Sequence, residues 1–505
     1  MSENSDPEKL TDFVRSEWRG RNVTVMGLGR FGGGVAVVRF LVEAGATVSV
    51  TDLASHSQLQ TSLDALSDVK VAEYVLEEHP ARLFTDCDTL VVNPAVRPNH
   101  ELVELAVASG AEVSSEIELF CRYCPAEIIG VTGSNGKSTT ASLTHHLLQR
   151  GMQDGRRVWL GGNIGVSLLP HLNAVSQQDV VVLELSSFQL TRLVTRRFRP
   201  RIAIITNFSA NHLDWHGTVE SYQAAKRGLL AAQQRDDAAV LPDSFDLTDW
   251  KPRGSVLRFG LMDEGEDGAH WEDDVLILRG RKPPETWFAS PRSAGSASRP
   301  DTPAGPGPVR VEEAVRIPIP TTLYGAHNRK NVAAAACAAW LWGVDVSTLP
   351  SSVRSFPGLP HRFSCVAEHN GRRFIDDSIA TTPDSVIAAL ETLGSSVIIL
   401  AGGYDKGACL SEMAKVIARK AKAAFLMGQT ASILEEAILS EPDRSCRTVQ
   451  CGRDFDDTFL QAVALSEPGD IVLLSPGCAS FGWFRDFRDR GEQFTALVNQ
   501  WMSES

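Results

Sequence analysis

The residues with the clearest chemical potential lie in the string IIGVTGSNGKSTTASLTHHLL at 128–148. An apolar run at its start predicts a buried strand and helical spacing at its end predicts a helix, so 133–138 is expected to form the turn between them. Backbone N–H groups in a glycine-rich turn attract phosphate, as does the N-terminus of the helix that follows. Lys137 adds a positive charge and Ser138 a hydroxyl for Mg2+. The string therefore predicts a phosphate-binding loop, and a plain glycine-rich corner is the alternative.

Other polar residues follow predicted strands of the same region. Glu184 ends the apolar run 180–183, where a carboxylate beside a phosphate loop can hold Mg2+ directly or through water. The alternative is an acid that caps a helix. His212 and Asp214 come after the apolar run 202–206, and on an extended segment their side chains would face one way and bind metal. A solvated loop with incidental histidines is the competing interpretation.

An earlier glycine pattern, Gly27-x-Gly29-x-x-Gly32, follows the strand-like run 22–26 and precedes an apolar helical segment. Asp52 ends the next predicted strand about twenty residues later, as in a Rossmann-type unit. The pattern is consistent with a nicotinamide enzyme, a nucleotide-sugar site or a glycine-packed corner between strand and helix. A further predicted strand ends at Asn93, and the loop after it would line the same crevice.

Bulk properties exclude several classes of protein. A chain of 505 residues with 43% hydrophobic residues predicts three or four packed domains. The net charge of -13 argues against nucleic-acid or anionic-membrane partners, because such partners require clustered Lys and Arg. No apolar run approaches the roughly 18 residues of a membrane span, and the N-terminus lacks a signal pattern. The sequence thus predicts a cytoplasmic protein without membrane insertion.

The nine cysteines are scattered and odd in number, which favours reduced thiols over disulfides. Cys121 and Cys124 form a CxxC pair, but a zinc site would need a second ligand pair nearby, and none is evident. Metal binding at this pair is therefore not favoured.

Composition changes divide the chain into an N-terminal domain at 1–124, a central domain at 125–356 and a C-terminal domain at 357–505. Strands alternate with helical segments in the last of these, which predicts a second Rossmann-like sheet. The segment 291–308 is rich in Pro, Gly, Ser and Ala and predicts a mobile surface insertion around 282–309. Residues 271–278 are predicted to form an edge strand before it.

These motifs, taken together, resemble the Mur ligase superfamily. They follow the family's order along the chain: TGSNGKST at 132–139, LELSSFQL at 183–190, HLD at 212–214, AAK at 224–226, GAHNRKN at 325–331, GLPHRF at 358–363, DDS at 376–378, GGYDKG at 402–407 and LSPGCASF at 474–481. The SSFQL string in particular is similar to that of the members that add D-glutamate to UDP-N-acetylmuramoyl-L-alanine. The resemblance covers all three predicted domains.

The resemblance implies an α/β fold with an N-terminal Rossmann-like domain, a central P-loop ATPase-like parallel-sheet domain and a C-terminal Rossmann-like domain. It implies an ATP-dependent amide (C–N) ligase that forms an acyl phosphate, uses two Mg2+ ions and acts in peptidoglycan precursor synthesis. The implied partners are small molecules, UDP-N-acetylmuramoyl-L-alanine and D-glutamate, and the implied state is a monomer.

The resemblance also assigns residues to each ligand. For ATP these are Gly133, Ser134, Asn135, Gly136, Lys137, Ser138, Thr139, Asn328, Asn331, Arg362 and Asp377. For Mg2+ they are Ser138, Glu184, His212 and Lys226, and for catalysis Lys137, His212 and Lys226. For the UDP-substrate they are Gly27, Leu28, Gly29, Arg30, Gly32, Asp52, Asn93 and Asn163. For the amino acid they are Thr381, Lys406, Ser480 and, through its backbone, Phe487.

Some of these residues have plainer interpretations. Arg362 is also consistent with a surface ion pair at the hinge, Lys406 with an exposed turn lysine and Lys226 with an exposed helical lysine. In the family the lysine that matches Lys226 is carbamylated. An ammonium about 4 Å from a dication would be repelled by roughly 8 kcal/mol at an effective dielectric constant near 20, and a carbamate reverses that sign.

The chain departs from the family pattern at three places. Ile379 stands where a lysine is usual, Gly482 and Trp483 stand where an acid and an amide are common, and Asn93-Pro-Ala95 replaces Ser-Pro-Gly. The first two departures touch the amino-acid pocket, so the motifs specify ligase chemistry more firmly than they specify D-glutamate. The third is expected to alter the sugar-nucleotide crevice.

Overall fold

A computed structural model of the chain describes residues 7–30, 32–152, 155–193, 198–261, 265–281, 310–320, 323, 325–394, 396–405 and 407–504. The predicted insertion at 282–309 and the predicted ligand residue Lys406 lie outside the described residues. The chain forms two compact units, one of Met1–Ile319 with Ala326–Ser355 and the other of Pro320–Gly325 with Phe356–Ser505.

The first sheet of the larger unit has five parallel strands within the described residues. They lie in the order Glu73–Leu76, Thr47–Asp52, Asn22–Met26, Thr89–Val92 and Glu112–Ser114. The helices of this part are Pro7–Trp18, Gly33–Glu43, His56–Asp64, Arg82–Thr85, Glu101–Ala108 and Glu116–Tyr123. Strand order reverses between Asn22–Met26 and Thr89–Val92, and open α/β sheets bind ligands beside such a reversal.

The second sheet of the larger unit has nine strands within the described residues. They lie in the order Arg310–Arg316, Val275–Arg281, Gly268–Glu272, Ser255–Gly260, Ala238–Pro242, Ile202–Ile205, Glu127–Thr132, Val180–Glu184 and Val158–Gly162. The strand Val275–Arg281 pairs antiparallel with both of its neighbours, and all the other pairings are parallel. Strands such as Val180–Glu184 are buried along their whole length, as expected for a parallel sheet covered on both faces.

Helices cover this second sheet. They are Lys137–Gly151, Ser187–Leu193, Leu213–His216, Val219–Ala231, Leu247–Trp250, Ala326–Leu341 and Leu349–Arg354, with 3-10 turns at Leu169–Ala174 and Val346–Thr348. The alanine-rich helix Ala326–Leu341 is fully buried from Asn331 onward and packs on Lys137–Gly151. Small side chains let two helix backbones approach closely, so this pair brings Asn331 next to the predicted phosphate turn.

The predicted edge strand at 271–278 is wrong. The structure has two strands there, Gly268–Glu272 and Val275–Arg281, paired antiparallel inside the sheet. The turn between them contains Asp273 at a positive φ of 52°, and Asp is one of the residues that tolerates this conformation. Asp273 and Asp274 therefore form the turn that separates the two strands.

The smaller unit contains one sheet, with six strands among the described residues. They lie in the order Ser364–His369, Arg372–Asp376, Ile471–Leu474, Val397–Gly403, Ala421–Gly428 and Arg447–Gln450, and only the first pair is antiparallel. Its helices are Pro383–Leu393, Ser411–Lys420, Ala431–Leu439, Phe455–Leu465 and Phe487–Glu504.

The predicted α/β fold with three parallel-sheet domains is confirmed. The domain limits at 124/125 and 356/357 stay predictions. All nine cysteines belong to the described residues, and none forms a disulfide. Among the described helices, none is long and apolar enough to cross a membrane.

Candidate active site

The predicted phosphate loop is a tight turn between the strand Glu127–Thr132 and the helix Lys137–Gly151. Gly136 precedes the helix at a positive φ of 76°, and a Cβ atom there would lie 2.5 Å from Oδ1 of Asn331. Only glycine therefore suits this position. The backbone N–H of Asn135 donates to Oδ1 of Asn207 at 2.9 Å, which fixes the tip of the turn.

Two residues predicted to contact ATP lie beside this turn. Oδ1 of Asn331 accepts a hydrogen bond from Oγ1 of Thr140 at 3.2 Å. Nδ2 of Asn331 donates to Oδ1 of Asn328 at 3.0 Å. The two asparagines are thus held together at the start of their helix and next to Gly136.

Two lysines converge on the carbonyl groups of the turn. Nζ of Lys137 donates to the carbonyl oxygen of Ser134 at 2.9 Å, and Nζ of Lys226 donates to that of Gly133 at 2.7 Å. Lys226 is only 1% exposed, so the interpretation as an exposed helical lysine is wrong. Burial, with a smaller effect of the Lys137 charge, lowers the pKa of Lys226 from 10.5 to about 6.

One carboxylate oxygen of Glu184 accepts a hydrogen bond, and the other has no partner among the described residues. The residue is 1% exposed, and Oε1 accepts a hydrogen bond from Nδ2 of Asn163 at 2.9 Å. Oε2 is buried and has no hydrogen-bond partner among the described residues. A buried carboxylate oxygen without a partner is costly, and a cation would satisfy it.

The described residues contain no group of three or more His, Cys, Asp or Glu side chains able to hold a metal ion. Mg2+ usually keeps several waters and binds one or two carboxylates together with substrate phosphates. Glu184 and the hydroxyl of Ser138 are therefore a donor set of the kind that Mg2+ uses beside ATP.

His212 immediately precedes a short helix, so the predicted extended segment that carries His212 and Asp214 is wrong. The helix is Leu213–His216, and His212 precedes it at a positive φ of 53°. The side chain of Asp214 lies outside what the structure describes. The Gly217 that follows the helix, also at positive φ, ends the turn after four residues.

An aromatic group connects His212 to the phosphate loop. The His212 ring lies 4.9 Å from that of Phe188 and 6.2 Å from that of Tyr222. The Tyr222 hydroxyl is 3.1 Å from Oγ of Ser134, and its ring lies 4.6 Å from Nζ of Lys226. Tyr222 thus contacts both the turn and the buried lysine.

The residues predicted to hold the UDP-substrate meet at the edge of the first sheet. A Cβ atom on Gly27, whose φ is 90°, would lie 2.8 Å from Cβ of Asn93. The backbone N–H of Gly29 donates to Oδ2 of Asp52 at 3.1 Å. The glycine turn therefore packs against Asn93 on one side and is fixed by Asp52 on the other.

The other residues predicted to hold the UDP-substrate differ in the groups that they expose. The Leu28 side chain is buried in the core, so this residue presents only its backbone. Arg30 is exposed, and Gly32 starts the helix Gly33–Glu43 at a positive φ of 85°. Asn163 is placed against Glu184 instead, and its assignment to the UDP-substrate stays a prediction.

The smaller unit buries Asp377 beside Arg362. Burial raises the pKa of the Asp377 carboxyl to about 7, although a hydrogen bond from Ser475 and the charge of Arg362 act in the opposite direction. Oδ1 accepts from the backbone N–H of Phe363 at 3.1 Å, and Oδ2 from Oγ of Ser475 at 2.7 Å. Nε of Arg362 is buried and has no hydrogen-bond partner in the described part of the chain.

A small pocket in the same unit contains Ser480. It is lined by Gly402, Gly403, Met427, Gly428, Ser480, Phe481, Trp483, Phe484 and Arg490. Trp483, one of the departures from the family pattern, is therefore part of the pocket wall. Thr381 is half-buried and is not among the lining residues.

Arg490, one of the residues that line this pocket, is fully buried. Its guanidinium donates to Oγ and the carbonyl oxygen of Ser378 at 3.0 and 2.8 Å, and to the carbonyl oxygen of Cys478 at 3.3 Å. Oγ of Ser378 in turn donates to the carbonyl oxygen of Phe487 at 2.7 Å. Burial lowers the pKa of Arg490 to about 10, so the group remains charged at neutral pH.

Comparisons with known proteins cover both units. Models of three domains match the chain: a Mur ligase MurD-like N-terminal domain at 21–115, a Mur ligase middle domain at 131–276 and a Mur ligase glutamate ligase domain at 361–478. A UDP-N-acetylmuramoylalanine--D-glutamate ligase of Roseiflexus sp. is 36% identical over 490 residues, which cover 95% of this chain and 98% of the relative. This chain belongs to the Mur ligase family.

Two further comparisons also match this chain with Mur ligases. A UDP-N-acetylmuramoylalanine--D-glutamate ligase of Acetivibrio thermocellus is 34% identical, covering 97% of this chain and 98% of the relative. The crystal structure of the MurF ligase of Thermotoga maritima in complex with ADP matches with a TM-score of 0.53 at 18% identity, covering 97% of each chain. At that identity the structural match supports the Mur ligase fold alone.

Sequence reasoning missed several residues of this Mur ligase site. Tyr222 stands four residues before Lys226, so a helix places both on one face, and that spacing was a usable signal. Asn207 follows the strand Ile202–Ile205 at the edge where ligands are expected. Arg490 carries no comparable signal, because a charged residue three positions after Phe487 suggests an exposed helix face.

Proposed function

We propose that this chain is an ATP-dependent ligase that joins D-glutamate to UDP-N-acetylmuramoyl-L-alanine and releases ADP and phosphate in peptidoglycan precursor synthesis. The observation that carries the proposal is the convergence of Lys137 and Lys226 on one glycine-rich turn. A nicotinamide enzyme would need neither lysine. Relatives with the corresponding name align over nearly the whole chain.

ATP would bind at the turn 133–139, with its phosphates on the N-terminus of the helix Lys137–Gly151. Lys137 would neutralise the β- and γ-phosphates, and Asn328 and Asn331 would contact the nucleotide from the adjoining helix. The hydrogen bonds that hold the turn to Asn207 support this role, because a fixed turn does not have to reorganise when phosphate binds.

Mg2+ would be held by Ser138 and Glu184, and a second ion by His212 and modified Lys226. When bound, Mg2+ would neutralise the charge that develops on the transferred phosphoryl group. The buried Oε2 of Glu184, which has no hydrogen-bond partner among the described residues, supports this assignment.

Lys226 would be carbamylated. Its low pKa keeps a large fraction of the side chain as a neutral amine at neutral pH, and the neutral amine is the form that adds to CO2. The amine nitrogen would bond to the carbon of CO2, a proton would leave to solvent, and an anionic carbamate would remain. Lys226 is buried next to Gly133. This burial lowers the pKa of the amine and therefore supports the proposed modification.

The first sheet would bind the UDP-substrate through the turn 27–32, Asp52 and Asn93, with Asn163 contacting it from the second sheet. The smaller unit would supply Arg362 and Asp377 for ATP, and Thr381, Lys406, Ser480 and Phe487 for the amino acid. The charge of buried Arg490 beside Ser480 supports an anionic ligand in that pocket.

The reaction would proceed in two steps. A carboxylate oxygen of the L-alanine residue attacks the γ-phosphorus of ATP, the bond to the ADP oxygen breaks, and an acyl phosphate forms. The amine nitrogen of D-glutamate then attacks the acyl carbon, phosphate leaves and the amine loses a proton. Phosphoryl transfer needs positioning and charge neutralisation more than a covalent residue, which suits a site of lysines and glycines.

We assign residues 1–124 to the UDP-substrate, 125–356 to ATP and 357–505 to the amino acid, in a monomeric cytoplasmic enzyme without nucleic-acid or membrane partners. The experiment measures phosphate release from ATP with UDP-N-acetylmuramoyl-L-alanine and each candidate amino acid in turn. We expect release with D-glutamate only. Release with L-glutamate or meso-diaminopimelate instead would overturn the specificity, and no release with any amino acid would overturn the ligase activity.

A further inference from the structure

A tryptophan on the short helix Leu213–His216 reaches the loop at the edge of the first sheet. Nε1 of Trp215 donates a hydrogen bond to the carbonyl oxygen of Ala95 at 3.2 Å. Ala95 lies in the loop that follows the strand Thr89–Val92. The two residues are 120 positions apart in the chain, so this contact joins separate parts of the larger unit.

Ala95 is held from its other side by Asn93. The backbone N–H of Ala95 donates to Oδ1 of Asn93 at 3.0 Å, and Pro94 between them restricts the backbone. Asn93 packs directly against Gly27 of the glycine turn. The position of the Asn93 side chain therefore depends on where Ala95 is fixed.

The Trp215 ring is anchored in the aromatic group beside the phosphate loop. Its centroid lies 4.9 Å from that of Phe188 and 4.6 Å from that of His216. Phe188 also contacts the ring of His212 at 4.9 Å. Edge-to-face contacts at these distances restrain ring orientation, so the indole N–H is aimed at Ala95.

A second donor supports the same loop. Nη2 of Arg192 donates to the carbonyl oxygen of Val96 at 3.3 Å. Arg192 belongs to the helix Ser187–Leu193, which also carries Phe188. Two adjacent carbonyl groups of the loop are thus bonded to side chains that belong to the second sheet's helices.

We propose that Trp215 is a positioning residue for the UDP-substrate, because its hydrogen bond to Ala95 sets the Asn93 side chain against the glycine turn. The inference rests on the proposed function, since it takes the turn 27–32 to be the site of the UDP group. It also gives a role to the Asn93-Pro94-Ala95 string, where the chain departs from the family pattern. A purely structural Trp215 would stabilise the fold without affecting UDP binding.

Two substitutions separate the hydrogen bond from ring packing. Trp215→Phe keeps a six-membered ring and removes the donor. Trp215→His loses the six-membered ring, but Nε2 of its imidazole can occupy the position of the indole nitrogen. Trp18→Phe is the matched control, because its buried indole also donates one hydrogen bond, to Tyr123 at 2.8 Å, far along the chain from the loop.

The test is calorimetric titration of each protein with UDP, together with the KM for UDP-N-acetylmuramoyl-L-alanine at saturating ATP and D-glutamate. We expect Trp215→Phe to raise the Kd for UDP and this KM about threefold, as befits one solvent-accessible hydrogen bond. The KM for ATP should stay within about twofold of the unsubstituted chain. Trp215→His should restore both UDP-dependent values, and Trp18→Phe should lower the Tm while leaving them unchanged.

Equal UDP affinity in Trp215→Phe and the unsubstituted chain would overturn the inference and leave the proposed function standing. The same loss in Trp215→His as in Trp215→Phe would also overturn it, because packing would then be the cause. Failure of the unsubstituted chain to bind UDP would instead contradict the proposed function.

Discussion

Nζ of Lys226 lies 2.7 Å from the carbonyl oxygen of Gly133, inside the turn expected to hold phosphate. The lysine is 1% exposed, and a helix of thirteen residues, Val219–Ala231, carries it there. Burying an amine beside a second lysine destabilises its charged form. This cost keeps a fraction of the Lys226 side chain as a neutral amine, which is the reactive form.

Replacing Lys226 with Met should stabilise the fold while abolishing turnover. Because the pKa of Lys226 falls from 10.5 to about 6 on folding, the unfolded chain binds one more proton between these values. The free energy of unfolding therefore falls as the pH falls through that window. In CO2-free buffer Lys226→Met should raise it by roughly 4 kcal/mol near pH 7, after about 1 kcal/mol is deducted for the lost hydrogen bond.

Urea unfolding at several pH values measures this effect. The difference in the free energy of unfolding between Lys226→Met and the unsubstituted chain should shrink steadily between pH 7 and pH 9. The reason is that the unfolded chain loses its extra proton as the pH approaches 10.5. Parallel stability curves for the two proteins would show that Lys226 keeps an ordinary pKa.

Replacing Glu184 with Gln should weaken the response to Mg2+. The substitution removes the charge of a carboxylate whose Oε2 is buried without a partner among the described residues. We expect the Mg2+ concentration for half-maximal activity to rise at least about tenfold, with the Tm unchanged or higher. Glu118→Gln is the control, because Glu118 is equally buried but its Oε2 accepts from Ser114. An unaltered Mg2+ dependence in Glu184→Gln would remove Glu184 from the metal site.

Replacing Lys137 with Ala should reduce kcat by about a thousandfold or more, because the developing charge on the γ-phosphate loses its nearest cation. The far-ultraviolet circular dichroism and the Tm should change little, since Lys137 is the first residue of its helix and its ammonium donates to the carbonyl of Ser134, three residues earlier. Lys70→Ala, at an exposed lysine of the same unit, should leave kcat intact. Substantial turnover in Lys137→Ala would refute the phosphate role.

Replacing Arg490 with Lys should destabilise the smaller unit. The planar guanidinium forms three hydrogen bonds to Ser378 and Cys478, and an ammonium cannot reproduce that geometry. We expect a loss of about 2 kcal/mol in the free energy of unfolding and a higher KM for D-glutamate. Arg488→Lys, on the exposed side of the same helix, should cost less than about 0.5 kcal/mol. Equal effects of the two substitutions would contradict the structural role of Arg490.

Much of the fold follows from local sequence patterns. The strand Asn22–Met26 coincides with the strand-like run 22–26, and the strand Glu127–Thr132 is followed by the helix Lys137–Gly151, as the string 128–148 predicts. The turn between strand and helix was predictable because glycine spacing and the following lysine define a phosphate loop locally. Side chains of the turn and of its helix are near each other in sequence as well as in space.

Contacts between distant segments could not be predicted in this way. Trp215 meets Ala95 across 120 positions, and no local pattern encodes that pairing. The burial of Lys226 also depends on tertiary packing, since an Ala-Ala-Lys string alone is equally typical of an exposed helix. The short helix at 213–216 ends at Gly217, and four residues are too few for a recognisable helical period.

The most direct test of the proposed activity uses UDP-N-acetylmuramoyl-L-alanine with oxygen-18 in the alanine carboxylate. If an acyl phosphate forms, one labelled oxygen passes to each phosphate released, and mass spectrometry of the phosphate detects it. We predict labelled phosphate together with a product heavier by one glutamate residue when D-glutamate and ATP are present. Unlabelled phosphate would mean that water attacks ATP, and it would contradict the assignment of this site to amide-bond formation.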